Sequence, residues 1–213
     1  MNKNYEKTSQ YWNDLYENKE AYDPMASLPE EAVESALDWI SSEKGTILDI
    51  GCGSGEMILR CLSKGAVKIM ALDSSFHGIS LARRTSSVHF STLQTKWIWG
   101  NIGSLLTLPD ACCQGVILAN ILEHLTPEEG KVILSQVERL LDHEGRVVII
   151  LNEFLEEESN QYLWYVSESE LFELMEDGFE LVEQELILSD AALDAQSEMP
   201  SNRLYKFQLK QGK

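Results

Sequence analysis

The sequence predicts an α/β protein, a three-layer sandwich whose helices cover both faces of a seven-stranded, mostly parallel sheet with a C-terminal antiparallel hairpin. Three observations predict it. Short apolar runs alternate with amphipathic stretches, glycines or capping residues mark the changeovers, and the first strand runs straight into a glycine cluster.

Each element has its own signal. Ser9–Tyr16 reads as an opening helix, and Val33, Ala36, Leu37 and Ile40 mark the stripe of a second. Thr46–Ile50 is apolar and ends at glycine, the pattern of a strand buried on both faces. Helical residues follow to Ser63, and Gly65 stops them. Val67–Leu72 is the second strand, Phe76–Thr85 a helix and Lys96–Gly100 the third strand. Gly115–Ala119 and Arg146–Leu151 are the fourth and fifth strands. Between these last two, Thr126 with Glu129 forms a capping box, Pro127 suits the first helical position, and Ile133, Val137, Leu140 and Leu141 share a face. The same grammar returns at Ser167 and Glu170, followed by Leu171, Leu174 and Met175, with Gly178 as terminator. Phe179–Leu188 and Leu204–Leu209 close the sheet, joined by the loop Asp190–Asn202. The expected organisation is one domain over residues 1–213. It comprises a helical cap or lid at 1–44, a cofactor-binding core at 45–155, and a substrate-side loop, helix and closing strands at 156–213.

Composition narrows the function. Of the 213 residues 44% are hydrophobic and 24% charged, an ordinary globular mixture that argues against disorder. The longest purely apolar run, Val147–Leu151, is far too short for a membrane span, and the polar opening contains no apolar signal core. Cys52, Cys61, Cys112 and Cys113 lack metal-site spacing and fit a reducing compartment, so a cytoplasmic location is expected. Seventeen Lys and Arg face 35 Asp and Glu, giving a net charge of −18. Between Arg146 and Arg203 there are 15 acids and no Lys or Arg. Such a surface repels phosphate backbones, which makes nucleic acid an unlikely partner. It reads either as a solvated acidic face or as a field that attracts amines.

Chemistry is expected at the carboxyl ends of the strands. After the first strand comes Asp49-Ile50-Gly51-Cys52-Gly53-Ser54-Gly55, in which glycine at alternate positions allows a sharp turn and close approach to a ligand. A dinucleotide loop would need a small residue where Glu56 stands, and a Walker loop would need Gly-Lys-Ser/Thr. Asp49 would repel a pyrophosphate. Asp73, 22 residues after Gly51, can accept hydrogen bonds from both hydroxyls of a ribose. A glycine turn with these two carboxylates describes a nucleoside that carries a cation in place of a diphosphate, which fits S-adenosylmethionine.

ILDIGCGSGE followed by ALDSS resembles the first two cofactor motifs of class I S-adenosylmethionine-dependent methyltransferases, and Asn120–Leu125 is similar to the Glu-His segment of small-molecule, quinone-type members. YWNDLY loosely resembles the start of thiopurine and tellurite-resistance methyltransferases. The resemblance implies a Rossmann-like core, S-adenosyl-L-methionine as cofactor with S-adenosyl-L-homocysteine as product, and a small-molecule acceptor. It implies that Gly51, Gly53 and Gly55 line the methionine moiety, with Cys52 as the small side chain between them. Asp49 would hold the loop or the amino group, and Asp73 the ribose. Ser74 would lie beside the adenine, with Asn101 accepting from its amino group and Ile102 in apolar contact. Asn120 belongs to the same cofactor set.

On the substrate side His124 is either a base or a packed histidine of its turn. Tyr11, Trp12 and Tyr16 either roof the site or hold the first helix down. Tyr162, Trp164 and Tyr165 either line an acceptor pocket or pack in the core. The expected function is in-line methyl transfer to a small molecule. Two alternatives stand beside it: a non-catalytic cofactor- or partner-binding protein on the same fold, and a protein or RNA methyltransferase.

Overall fold

The computed structural model describes residues 3–26, 28, 30–152, 164–188 and 201–210. Two helices, α1 (Lys3–Glu17) and α2 (Glu31–Ser41), precede the first strand. Then β1 (Thr46–Ile50), α3 (Glu56–Ser63), β2 (Lys68–Asp73), α4 (Phe76–His89) and β3 (Thr95–Trp99) alternate. They are followed by β4 (Cys113–Ala119), α5 (Pro127–Leu140), β5 (Leu141–Asn152), α6 (Glu168–Met175), β6 (Phe179–Leu188) and β7 (Ser201–Leu209). The seven strands form one sheet in the order β3-β2-β1-β4-β5-β7-β6. Strands β1 to β5 pair in parallel, and β7 runs antiparallel to both β5 and β6. The expected fold class, including the closing hairpin, is the one observed.

The strands are apolar throughout because each must fill two layers. Ile47, Ile69, Ile117 and Val148 pack with α2 and α3 on one face. Leu48, Met70, Val116, Val147 and Ile149 pack with α5 and α6 on the other. The order reverses between β1 and β4, so their connections leave in opposite directions and open a crevice at the carboxyl ends. That crevice is where the chemistry sits.

Several boundaries differ from the sequence expectation. Helix α1 begins at Lys3 and α4 continues to His89, since neither stretch contains a breaker. Leu141, expected on the face of α5, instead opens β5 and pairs with Cys113 across a bulge. No loop separates the two elements. β7 begins at Ser201, inside the expected loop, because Asn202 and Arg203 find partners on β5. The capping box of α5 is complete, with both halves made. At α6 Ser167 accepts from the backbone of Glu170 as the cap.

Candidate active site

The site begins with a carboxylate that the sheet carries into its own core. Asp49 is 3% exposed, its backbone pairs in register with Ala71 and Ile117, and its carboxylate makes no hydrogen bond among the described residues. Burial, and after it the charge of Asp73, pushes its carboxyl up to about 8. The chain then turns back on itself: the backbone N–H groups of Gly51 and Cys52 both donate to the carbonyl of Leu72, at 2.8 and 3.1 Å. Gly53 and Gly55 have φ of +51° and +82°, the left-handed region that glycine enters without strain. A Cβ at Gly53 would also run into the Tyr16 hydroxyl, so this turn has two reasons to be glycine.

Asp73 ends β2 and ties the turn in place. Its two carboxylate oxygens accept from Gly53 N and Ser75 N, each at 2.7 Å. Burial raises its proton affinity and these hydrogen bonds pull it back, with a net upward shift. The carboxylate keeps acceptor capacity for a ligand hydroxyl. Asn101 is built similarly: its side-chain oxygen caps the short 3-10 turn Ile102–Thr107 by accepting from Gly103 N at 2.9 Å. Asn120, directly after β4, has φ +50°, an uncommon conformation that turns the chain beside the glycine loop. Next comes a second 3-10 turn, Leu122–His124. Glu123 in it is 2% exposed; its side chain accepts from Asn152 N and its carbonyl from Trp164 N, fastening this turn to the chain beyond β5. Burial pushes Glu123 up to about 6.

Helix α1 covers the crevice. Ser9 Oγ donates to the carbonyl of Ser74 at 3.2 Å, while Asn13 Oδ1 accepts from Ser75 Oγ and His77 N at 3.0 and 3.2 Å. Trp12 meets His124 edge to face, with ring centroids 5.3 Å apart. Tyr16 lies over the glycine turn, where burial, and then Asp73, drives its phenol well above the ordinary range. Beyond the helix, Tyr22 OH donates to the carbonyl of Ser54 at 3.0 Å. Beneath this cover lies a cavity of about 320 Å³, the size range of small-molecule sites.

Residues 47–145 match the model of the methyltransferase domain family. This segment, just under half of the chain, is similar to that methyltransferase domain. The glycine turn with its buried Asp49, whose carboxylate has no hydrogen-bond partner among the described residues, suits a nucleoside that bears a cation. Among solved structures, the chain is similar to the N-methyltransferase NodS from Bradyrhizobium japonicum WM9 in complex with S-adenosyl-L-homocysteine. That match has a TM-score of 0.70 and 16% identity, over 96% of this chain and 99% of that one. The magnesium protoporphyrin IX methyltransferase ChlM from Synechocystis PCC 6803 matches with a TM-score of 0.65 and 17% identity, over 84% and 83% of the two chains. The [4+2]-cyclase SpnF shares the same fold, with a TM-score of 0.68, 15% identity and coverage of 96% and 93%. No curated protein matches the sequence.

The cavity gathers most of the residues singled out from sequence. Asp49, Gly51, Cys52, Gly53, Asp73, Ser74, Asn101, Ile102 and Asn120 line it, together with Trp12, Tyr16 and His124. Gly55 stands behind the turn as the N-cap of α3. Cys52 is buried and its thiol is driven well above the usual range, mainly by burial, so it is a neutral small side chain there. Three aromatics lie elsewhere. Tyr11 and Tyr165 are exposed, and Trp164 is buried against Gly130 with its indole N–H on Glu170. Tyr162 falls outside the described residues. Ser9, Met57, Leu125 and Ile133 also line the cavity without having been singled out. Their residue types are ordinary for helix faces, so only the packing of α1, α3 and α5 around the crevice identifies them.

Proposed function

We propose that the protein transfers the sulfonium methyl group of S-adenosylmethionine, in line, to a small-molecule acceptor. The observation that carries this reading is the pairing of a buried Asp49, its carboxylate unpartnered among the described residues, with Asp73 at left-handed glycines beneath an aromatic cover. In this reading Gly51, Cys52, Gly53 and Gly55 form the floor under the methionine part, and Asp49 faces its ammonium. Asp73 takes the ribose hydroxyls, while Ser74, Asn101 and Ile102 border the adenine and Asn120 the reacting centre. The bound donor supplies an already activated methyl group. The protein's contribution is therefore placement, with the nucleophile held about 3–3.5 Å from the methyl carbon. Trp12, Tyr16 and His124 would form the acceptor wall, with His124 receiving a proton where the acceptor has one to lose. The size of the cavity and the surplus of acids favour a small acceptor over a nucleic acid, as do neighbours such as NodS and ChlM.

Calorimetry tests the cofactor. S-adenosylmethionine should bind and NAD should not, and the reverse result would overturn the reading. Asp73→Ala should weaken donor binding by about 1–3 kcal/mol through lost hydroxyl hydrogen bonds. Unchanged affinity would remove Asp73 from the ribose site. Transfer of a labelled methyl group to a size-fractionated extract should mark the low-molecular-weight fraction.

A further inference from the structure

The two edges of the sheet differ in charge. Residues 74–109 hold Arg83, Arg84 and Lys96 but no Asp or Glu, in a chain with 35 acids. Most of them build α4, the 3-10 turn Thr92–Gln94 and β3, the outermost strand on that side. All three cations are exposed, and none makes an ion pair among the described residues. The guanidinium of Arg84 donates to the carbonyl of Lys19, a neutral partner that leaves its charge uncancelled. Apolar side chains project from the same elements. Val88 is 73% exposed, Leu93 86% and Trp99 63%, and the half-exposed Phe76 meets Trp99 edge to face with ring centroids 5.3 Å apart. None of the four belongs to either layer of the core. At the opposite edge, α6 and β6 carry Glu at six positions and no Lys or Arg. With strands about 4.8 Å apart the two edges of this seven-stranded sheet are separated by about 29 Å, more than three Debye lengths at physiological salt. The acids of one edge are therefore screened from a surface that touches the other.

We propose that the edge formed by α4 and β3 docks on an anionic lipid surface. Such a surface complements this edge twice over: its headgroups attract Arg83, Arg84 and Lys96, and its hydrocarbon boundary accepts Val88, Leu93 and the ring of Trp99. The long arginine stems can lie along apolar surface while their heads reach phosphate. A protein partner would need a fitted hollow for each projecting side chain, whereas fluid lipid closes around all of them. Trp99 joins this face to the cavity. Its indole N–H donates to the carbonyl of Ser74 at 3.0 Å, and Ser74 lines the cavity, so docking brings that rim to the lipid. The docking itself is independent of what the cavity binds.

Co-sedimentation of the full chain with two kinds of vesicle tests this: phosphatidylcholine alone, and phosphatidylcholine with about 30% phosphatidylglycerol. At about 150 mM NaCl the protein should partition at least tenfold more strongly onto the anionic vesicles, and about 500 mM NaCl should release it. Binding should move its tryptophan emission to shorter wavelength, and Trp99→Phe should remove most of that move. Arg83→Gln combined with Arg84→Gln should weaken partitioning about tenfold or more, and Leu93→Asn about tenfold. Lys131→Gln, which removes an exposed cation of α5 outside this face, should leave it unchanged. No preference for anionic vesicles overturns the proposal, as does a loss in Lys131→Gln equal to that in the arginine variant, or no loss in the arginine variant. Binding to poly-L-glutamate without binding to vesicles would assign the face to an acidic protein and overturn the lipid assignment.

Discussion

At the scale of single residues the most consequential group is Asp49. The strand places its carboxyl in the core, where burial holds its pKa at about 8 against an ordinary 3.8. The folded chain thus keeps a proton that the unfolded chain releases between those two values. Asp49 opposes folding progressively as pH rises through this window, and its contribution is most favourable below the lower value. Without donor, Asp49→Asn should gain stability over the parent by about 1.4 kcal/mol per pH unit within the window. A melting-temperature difference that widens from about pH 5 to about pH 8 would show it. Cation-bearing donor reverses the balance by stabilising the carboxylate. Calorimetry in buffers of different ionisation enthalpy should detect proton release on binding near neutral pH. A pH-independent stability difference together with no proton release would mean that Asp49 is not the titrating group. Asp49 and Asp73 were legible in the sequence because each is bound to a strand end by turn chemistry. The contacts of Tyr22 with Ser54 and of Trp164 with Gly130 were not, since they join positions 32 and 34 residues apart that no local pattern relates.

At the scale of elements the site is made by α1 as much as by the sheet. The helix is held over the crevice by few polar contacts, with Asn13 at their centre because one oxygen serves both Ser75 and His77 at the start of α4. Asn13→Ala leaves those donors without their partner and should weaken the docking of α1 by about 1–2 kcal/mol. Hydrogen exchange would read this as faster exchange at residues 9–16, with the sheet unchanged. In the parent protein, adding S-adenosylmethionine should slow exchange over the same residues, because Trp12 and Tyr16 line the cavity it enters. Exchange insensitive to both changes would show that α1 is not the cover. The sequence displayed the aromatics of this helix but left their role open, since the stripe that roofs a ligand is also the stripe that attaches a helix. The same ambiguity explains Trp164: an aromatic after the fifth strand suited a pocket, yet Gly130 on α5 leaves the gap that its ring fills.

At the scale of the whole molecule the net charge of −18 acts on stability and on function in opposite senses. Many of the described cations are already paired, including Lys64 with Glu34 and Asp38, Arg139 with Asp110 and Arg146 with Glu43. The surplus acids therefore face water or one another. On the outer strand β6 the exposed Glu180 discourages another strand from adding to the open edge. Salt weakens both the pairs and the repulsion, but with twice as many acids as bases the repulsion is the larger effect. Raising NaCl from about 20 to about 300 mM should stabilise the fold by on the order of 1 kcal/mol, a rise of about 2–4 °C in melting temperature. The same screening should slow association of the positively charged donor, because the field that strains the fold also draws cations toward the crevice. Thermal melts and stopped-flow binding along one salt series would then move in opposite directions. A melting temperature that falls with salt would mean that the pairs outweigh the repulsion, and an association rate indifferent to salt would mean that the acidic surface does not reach the site.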